Sequence, residues 1–238
     1  MKSRGKRVKK KTVLILSGAL LVAVLVCVGV FVIWKINRPE GNTPTETEMK
    51  QDYLLDLGNQ LYIQKMVNIT GTYVENGKDE AVTKVAAITV ENRSDRTLRL
   101  ANISLQVEGV EYTFSLTTLP PGQTAMVQEA QKQTFPKMDQ LPDANVKQVA
   151  FFEEEPSLHQ DVFEITTSAF TIEVSNKTDT DIAGPIYVYY KTVEKDYFRG
   201  GITYRVHIPA IAAGETYTAY AGHFYGQESQ VMYIDYAK

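Results

Sequence analysis

The chain has 238 residues and a formal net charge of −3, and that small value hides a strong asymmetry along the sequence. Nine of the 25 Lys and Arg residues lie in residues 1–38, whereas 27 of the 28 acids lie beyond Glu40 and none precedes it. The part from residue 39 onward carries 16 cations against 28 acids, a net charge of −12, which disfavours nucleic acid and anionic lipid as its partners. The one cysteine is Cys27, so this part has no disulfide and no cysteine nucleophile.

An uncharged apolar run occupies residues 12–34 and follows a basic leader, residues 1–11, that contains seven cations. A helix of this length extends roughly 34 Å at ~1.5 Å per residue, which is enough to cross a bilayer core of about 30 Å. The run is therefore predicted to be a transmembrane helix of the plasma membrane. By the positive-inside rule the leader is cytoplasmic and everything after Trp34 is extracytoplasmic.

Other export signals fit the run less well. A cleaved signal peptide has a shorter apolar region that ends in a small-x-small site, and here the run ends at Trp34 and Lys35. Val26 is too large for the position that precedes a lipoprotein cysteine, and the early Glu of a prepilin is absent. We therefore expect a retained anchor with a single span.

Residues 35–60 are predicted to form a juxtamembrane spacer with a short helix. Residues 39–48 are polar and contain few bulky apolar groups. Thr45 and Glu48 have the spacing of a capping box ahead of an apolar pattern that Gly58 closes. This pattern predicts a helix over about residues 46–57.

From residue 61 the sequence alternates between apolar and polar residues with a period of two, which is typical of strands with one buried face. The clearest examples are residues 85–90, 103–107 and 169–174, and turn signals such as Asn76-Gly77 and Glu108-Gly109 fall between such segments. No helical period is sustained beyond residue 60. The sequence therefore predicts an all-β extracytoplasmic part.

Three segments of this part recur in the same order. Residues 88–98 align with residues 172–182 at an offset of 84, residues 119–124 align with residues 211–216 at an offset of 92, and residues 148–152 align with residues 230–234 at an offset of 82. Ordered matches of this kind predict two copies of one fold. We expect two tandem small antiparallel β-sandwiches, residues 61–156 and residues 157–238, each with six or seven short strands.

The repeated features are an apolar pair, an Asn-x-Ser/Thr-Asp turn at Asn92 and Asn176, and a Gly turn at Gly122 and Gly214. This pattern resembles the immunoglobulin-like and fibronectin-like modules of bacterial surface proteins, and the FxLYD-type modules of membrane-anchored envelope proteins in particular. No F-x-L-Y-D string occurs in the sequence. The resemblance implies the fold and a role in adhesion or assembly, and it assigns no catalytic residue.

The sequence contains none of the motifs that mark a common active site. The three histidines, His159, His207 and His223, have no metal-ligand spacing, and neither G-x-S-x-G nor a P-loop occurs. Asp179 and Asp181 lie in an acidic loop that could supply oxygen ligands to Ca²⁺, and the sequence leaves this question open. We expect a protein that is not an enzyme and has no catalytic residue, no cofactor and no metal site.

Tyrosine is concentrated near the end of the chain, since ten of the fourteen tyrosines lie between residues 187 and 236. Tyrosine is common in strands, but its large ring and polar tip also suit contacts with proteins or glycans. Tyr189 and Tyr190 are adjacent, so they face opposite sides of any strand that contains them. Tyr189, Tyr197 and Tyr225 are the candidate partner-binding residues.

Two functions remain from the sequence. The first is a non-enzymatic membrane-anchored protein whose tandem sandwiches bind or brace a protein or cell-wall glycan partner. The alternative is an envelope hydrolase or carbohydrate-processing enzyme with an unfamiliar carboxylate site. A signalling role for the cytoplasmic leader is disfavoured, because 11 residues cannot hold a domain.

Overall fold

The computed structural model of the protein describes residues 45–47 and 55–237, which belong to one compact unit, Pro44–Lys238. Thirteen strands and one short 3₁₀ helix, Gly226–Glu228, make up the regular structure of these residues. The predicted all-β class is thus confirmed for the described part. None of its helices is long and apolar enough to cross a membrane, and the predicted membrane helix at residues 12–34 lies outside the described residues.

The strands are numbered in chain order. They are β1 (Thr45–Thr47), β2 (Leu55–Asp56), β3 (Leu61–Tyr73), β4 (Glu80–Asn92), β5 (Leu98–Val107), β6 (Val110–Leu119), β7 (Thr124–Gln128), β8 (Asp143–Phe151), β9 (Phe163–Asn176), β10 (Ile186–Glu194), β11 (Tyr197–Ile208), β12 (Thr216–Tyr225) and β13 (Ser229–Tyr236).

These strands form three sheets. The largest has the order β1-β3-β4-β7-β11-β10-β13, with β2 paired to β3. The second has the order β6-β5-β8, and the third consists of β12 and β9. All the described strand pairs are antiparallel except β7 with β11, where Ala125 and Met126 lie opposite Phe198 and Arg199 in a parallel arrangement.

The same pairing pattern occurs twice along the chain. In the first half β4 pairs with β7, and β5 lies between β6 and β8. In the second half β9 pairs with β12, and β10 lies between β11 and β13. The two patterns place the repeated sequence segments on corresponding strands.

Each half has its own buried apolar cluster, which mainly consists of the inward-facing residues of its strands. The first cluster includes Leu61, Ile88, Leu98, Ile103, Leu105, Phe114 and Leu116. The second includes Phe163, Ile172, Val174, Ile186, Val188, Ile208 and Phe224. Burial of such side chains supplies the main favourable free energy of folding.

Asn92 and Asn176 occupy corresponding places at the ends of β4 and β9, and both are buried. The Asn92 amide donates to the carbonyl oxygens of Arg96 (2.9 Å) and Leu119 (2.7 Å). The Asn176 amide donates to the corresponding carbonyl oxygens, those of Thr180 (2.8 Å) and Ile211 (3.2 Å).

Both Asn side chains also accept a hydrogen bond from the backbone two residues later, at Ser94 and Thr178, as their turn sequence predicts. Neither Asn92 nor Asn176 has a positive φ, so a left-handed backbone is not the reason that Asn stands there. The reason is that one amide side chain satisfies several backbone groups of two neighbouring segments in a buried turn.

The predicted helix over residues 46–57 is wrong at both of its ends. Residues 45–47 form β1 and residues 55–56 form β2, and both strands pair with β3. Leu55 lies opposite Ile63, so pairing with a long neighbouring strand overrides the helical spacing of a few apolar residues. Residues 48–54 of the predicted helix lie outside the described residues.

A buried polar junction joins the two halves where β6 crosses β11. The Lys191 side chain is fully buried, and its Nζ donates to the carbonyl oxygens of Thr117 (2.9 Å), Gly201 (3.1 Å) and Ile202 (2.9 Å). The N–H of the same glycine, Gly201, donates to the Glu75 carboxylate at 2.9 Å. Burial lowers the pKa of Lys191 and raises that of Glu75, while each charge favours the ionised form of the other.

The predicted boundary between the two sandwiches, at residues 156 and 157, falls in the connection between β8 and β9. Strand β7 of the first half and β11 of the second half nevertheless belong to one sheet. Whether the two halves are separate domains stays a prediction.

Candidate interaction surface

Exposed apolar side chains concentrate on one pair of strands. Six large apolar residues are exposed in the described part of the chain, and four of them lie on β9 and β12: Phe170, Tyr217, Tyr220 and Tyr225. Tyr220 is the most exposed, at 76 %, against 38–48 % for the other five. A cluster of exposed aromatic rings is typical of an interaction site.

The alternation of β9 and β12 explains the exposure of Tyr220. Ile172, Val174 and Ala219 point inward and are buried. Residues between them point outward, so Tyr220 lies opposite Thr171, and Thr218 lies opposite Glu173, on the outer face of this two-stranded sheet.

Two further rings lie where the β9–β12 pairing shifts register, between Tyr220 and Tyr225. Tyr225 lies opposite Ala169, and its ring meets that of Phe170 edge to face, with 5.7 Å between the ring centroids. Phe170 and Tyr225, whose rings are in contact, and Tyr220, which lies on the same pair of strands without a described ring contact to either, are called the aromatic patch below.

The aromatic patch abuts the turn between β3 and β4. The Tyr225 hydroxyl donates to the Asp79 carboxylate at 3.2 Å, and His223 Nδ1 lies 3.1 Å from the same oxygen. Burial, together with the negative charge of Asp79, raises the pKa of Tyr225 to about 12. Tyr225 therefore stays protonated at neutral pH and keeps its hydrogen bond to Asp79.

His223 also stacks on the ring of Tyr204, with 4.3 Å between the ring centroids. Tyr204 belongs to β11, and its hydroxyl points to the carbonyl oxygen of Val74 at 3.5 Å. These contacts hold the Tyr225 end of the aromatic patch against β11 and against the turn between β3 and β4.

The three predicted binding residues lie on three different elements. Tyr225 belongs to the aromatic patch, Tyr189 lies on β10, and Tyr197 begins β11. Within the described residues no ring contact joins any two of them. The structure therefore does not gather them into a single surface.

Tyr189 and Tyr190 point to opposite sides of β10, as their adjacency predicts. Tyr190 is buried in the second apolar cluster, and Tyr189 is half-buried on the other side. The Tyr189 ring stacks on that of Tyr233, with centroids 4.3 Å apart and 10° between the planes. Because this stacking covers one face of Tyr189, less of its ring remains for a partner.

Tyr197 is also half-buried and packs against a small apolar cluster on the first half of the molecule: Val67, Ile69, Ala87 and Met126. This packing gives Tyr197 a role in the contact between β11 and the first half. Of the three residues, Tyr225 alone belongs to the aromatic patch, and partner binding by any of them stays a prediction.

Tyr220 and Phe170 are the members of the patch that sequence reasoning missed. The available signal was the composition of β12, TYTAYAGHFY, which combines three tyrosines with no charged residue and no proline. Alternation predicts that Tyr220 points away from Ala219, but only the packing of the sheets shows which of these two sides is covered.

The residues considered for catalysis and metal binding do not converge. Among the described residues, no group of three or more His, Cys, Asp and Glu side chains is placed to hold a metal ion. In the acidic loop, the Asn176 side chain is buried and fully engaged with backbone groups, and an Asp181 oxygen accepts a hydrogen bond from the N–H of Ala213 at 2.9 Å.

No protein-family model matches this chain, and no curated protein matches it in sequence. The resemblance to immunoglobulin-like and FxLYD-type modules thus rests on the repeated residues alone.

Proposed function

We propose that this chain is a non-enzymatic, membrane-anchored extracytoplasmic protein that binds a partner protein through its aromatic patch. The observation that carries the proposal is the exposure of Tyr220, at 76 %, on a strand without charged residues. Exposed aromatic rings contribute large contact areas at the centre of protein interfaces.

The sequence supports the anchored topology. The 23 uncharged residues from position 12 to position 34 are long enough to span a bilayer, and seven cations precede them. This topology leaves the acidic part of the chain, with the aromatic patch, on the extracytoplasmic side of the plasma membrane.

Two tandem immunoglobulin-like sandwiches are the architecture we propose for the extracytoplasmic part. The repeated strand pairing supports it, and so do the corresponding hydrogen bonds of Asn92 and Asn176. In this arrangement the first sandwich is nearer to the membrane anchor along the chain, and the second carries the aromatic patch.

The proposal is tested with a photo-crosslinking phenylalanine analogue incorporated at Tyr220 of the full-length protein in its own membrane. We expect one discrete crosslinked adduct from this position. Leu141 is the matched control, because it is 48 % exposed but belongs to the first half of the chain. An identical adduct pattern from positions 220 and 141 would contradict the proposal.

A second variant separates recognition from mere proximity. Tyr225→Ala, combined with the crosslinker at position 220, removes the ring that meets Phe170 and the hydrogen bond to Asp79. We expect the adduct yield to fall severalfold while the circular dichroism spectrum is unchanged. An unchanged yield would exclude Tyr225 from the contact.

A further inference from the structure

We infer that the outer edge of β12 accepts a β-strand of the partner protein, which runs parallel to β12 and bears an aromatic residue followed by an arginine. This inference rests on the proposed function, because it assigns a binding mode to the strand that carries Tyr220. In the first half a strand pairs with the corresponding edge, whereas in the second half no described strand does. This difference indicates which kind of strand the partner supplies.

Strand β7 of the first half corresponds to β12 of the second half. Ala87 lies opposite Gln128 in the β4–β7 pair, and Thr171 lies opposite Tyr220 in the β9–β12 pair. The offsets of 84 and 92 residues in the repeat relate these positions, so Tyr220 corresponds to Gln128 and Thr218 corresponds to Met126.

The corresponding positions differ sharply in burial. Gln128 is 3 % exposed and Met126 is 6 % exposed, whereas Tyr220 is 76 % exposed. The Gln128 side chain accepts a hydrogen bond from the Val74 N–H at 2.7 Å and donates to the Thr72 carbonyl oxygen at 2.9 Å. The face that is covered at Gln128 and Met126 in the first half is thus exposed at Tyr220 and Thr218 in the second half.

The edge of β7 is covered by a strand. The segment Tyr197–Arg199 of β11 pairs with β7 in parallel, and Phe198 and Arg199 lie opposite Ala125 and Met126. Phe198 is buried in the first apolar cluster. The second half of the chain therefore supplies the strand that completes the first half.

The backbone groups of β12 are oriented to accept such a strand. The Asn176 N–H donates to the Glu215 carbonyl oxygen at 2.9 Å, and hydrogen-bonded pairs alternate along an antiparallel ladder. The backbone N–H and C=O groups of Thr216, Thr218 and Tyr220 consequently point away from β9. In the described part of the chain, β12 pairs with β9 alone.

Unpaired sheet edges are usually protected by charged residues, by proline or by a covering loop, because their free backbone groups can pair with strands of other chains. The ten residues of β12 contain no charged residue and no proline. An open, uncharged, aromatic edge strand fits the mode of recognition in which a partner strand is added to a sheet.

The charges nearby favour arginine in the added strand. Glu173 lies on the outer face, opposite Thr218, and neither β9 nor β12 contains a Lys or Arg residue. An arginine placed opposite Thr218, as Arg199 is placed opposite Met126, would lie on the same face as Glu173 and the ring of Tyr220. Both carboxylates and aromatic rings attract a guanidinium group.

The test uses a capped peptide with the sequence of residues 196–203, DYFRGGIT, and the full-length protein in detergent micelles. Binding is measured by fluorescence anisotropy of the labelled peptide, and hydrogen exchange locates the contact. We expect saturable binding, protection of the amides of Thr218 and Tyr220, and no binding of a peptide with the same composition in scrambled order.

Two variants at one position test the backbone contact. Thr218→Pro removes an N–H that points away from β9, so the β9–β12 ladder keeps its hydrogen bonds, and Thr218→Val keeps that N–H. Loss of one such hydrogen bond should weaken peptide binding about tenfold in Thr218→Pro relative to Thr218→Val. Glu173→Gln should weaken binding severalfold and reduce its dependence on salt.

Equal affinities of Thr218→Pro and Thr218→Val would overturn the inference, as would protection that excludes β12. Absence of binding at millimolar peptide would overturn it as well. None of these results would affect a discrete crosslinked adduct from position 220, so the binding mode and the proposed function can fail separately.

Discussion

Gly201 lies at the centre of the buried polar junction between the two halves. Its N–H donates to Glu75 of the first half, and its carbonyl oxygen accepts a hydrogen bond from Lys191 of the second half. The backbone of Gly201 thus lies between the carboxylate of Glu75 and the buried amine of Lys191. Buried charged groups stabilise a fold only while each has its partner, because a buried charge without a partner costs free energy.

Lys191→Met tests this dependence. The substitution removes the lysine donor from the carbonyl oxygens of Thr117 and Ile202, although the Thr203 hydroxyl still donates to that of Thr117. It also removes the cation that lowers the pKa of Glu75. We expect the free energy of unfolding to fall by about 3–5 kcal/mol, as when one partner of a buried charge pair is removed. Urea denaturation measures this change, and Glu75→Gln in the same chain should restore part of the lost stability.

The pH dependence of Lys191→Met has a definite sign. Burial raises the pKa of Glu75, so the protonated carboxyl group favours the folded state. This contribution to the free energy of unfolding is complete at pH values below the ordinary pKa of a glutamate. It is lost as the pH rises through the raised pKa of Glu75. The charge of Lys191 lowers the pKa of Glu75, so that pKa is higher in Lys191→Met. The stability of the variant therefore continues to fall up to a higher pH.

We therefore expect the stability of Lys191→Met to fall between mildly acidic and neutral pH more steeply than that of the double variant Glu75→Gln/Lys191→Met. Thermal unfolding at several pH values measures both proteins. Parallel curves would show that Glu75 is not the titrating group.

At the scale of the element, β11 is the strand that contacts both halves of the molecule. It pairs with β10 and β7, and its glycine-containing centre passes close to β6. A Cβ atom on Gly201 would lie 1.9 Å from the carbonyl oxygen of Ser115 and 3.0 Å from a methyl group of Val127. The close crossing of two strands thus requires glycine at this position.

Gly201→Ala is expected to destabilise the protein severely, because the obstructing atom belongs to the backbone of β6 and cannot rotate away. Gly222→Ala on β12 is the matched control, since its added Cβ would lie 3.6 Å from the flexible Tyr220 side chain. We expect a large fall in the midpoint of thermal unfolding for the first variant and a small change for the second. A small change in both would contradict the close crossing.

Periodicity predicted strands correctly in two segments of the first half, although residues 85–90 are buried on both faces of their strand. The alternating residues 85–90 and 103–107 lie on β4 and β5, and Glu108-Gly109 forms the turn that follows β5, with both residues at positive φ. Periodicity failed at residues 46–57, where β1 and β2 are too short to show a pattern of their own. Their strand character comes from β3, which pairs with both of them.

At the scale of the whole molecule, the parallel pairing of β7 with β11 joins the two halves in one sheet. The repeat in the sequence predicts two similar halves, and the strand pairing within each half agrees with that prediction. Nothing in the repeat indicates that one half supplies a strand to the other, since the two segments involved are about 70 residues apart along the chain.

The proposed topology predicts which side of the membrane residue 157 occupies. Ser157 is exposed in the connection between β8 and β9, and Cys27 is the natural cysteine of the chain. We expect Ser157→Cys to react with a membrane-impermeant maleimide in intact cells, whereas the unsubstituted protein should not react. Labelling of Ser157→Cys only after the cells are permeabilised would contradict the extracytoplasmic placement.

The sequence by itself determined the all-β class, the repeat and the positions of most turns, because alternation and turn residues are local properties of the chain. It also predicts the membrane anchor, which lies outside the described residues. Only the tertiary structure decided which tyrosines are exposed. Tyr189 stacks on Tyr233, Tyr197 packs against the first half, and Tyr220 faces outward, because burial depends on which sheet covers each strand.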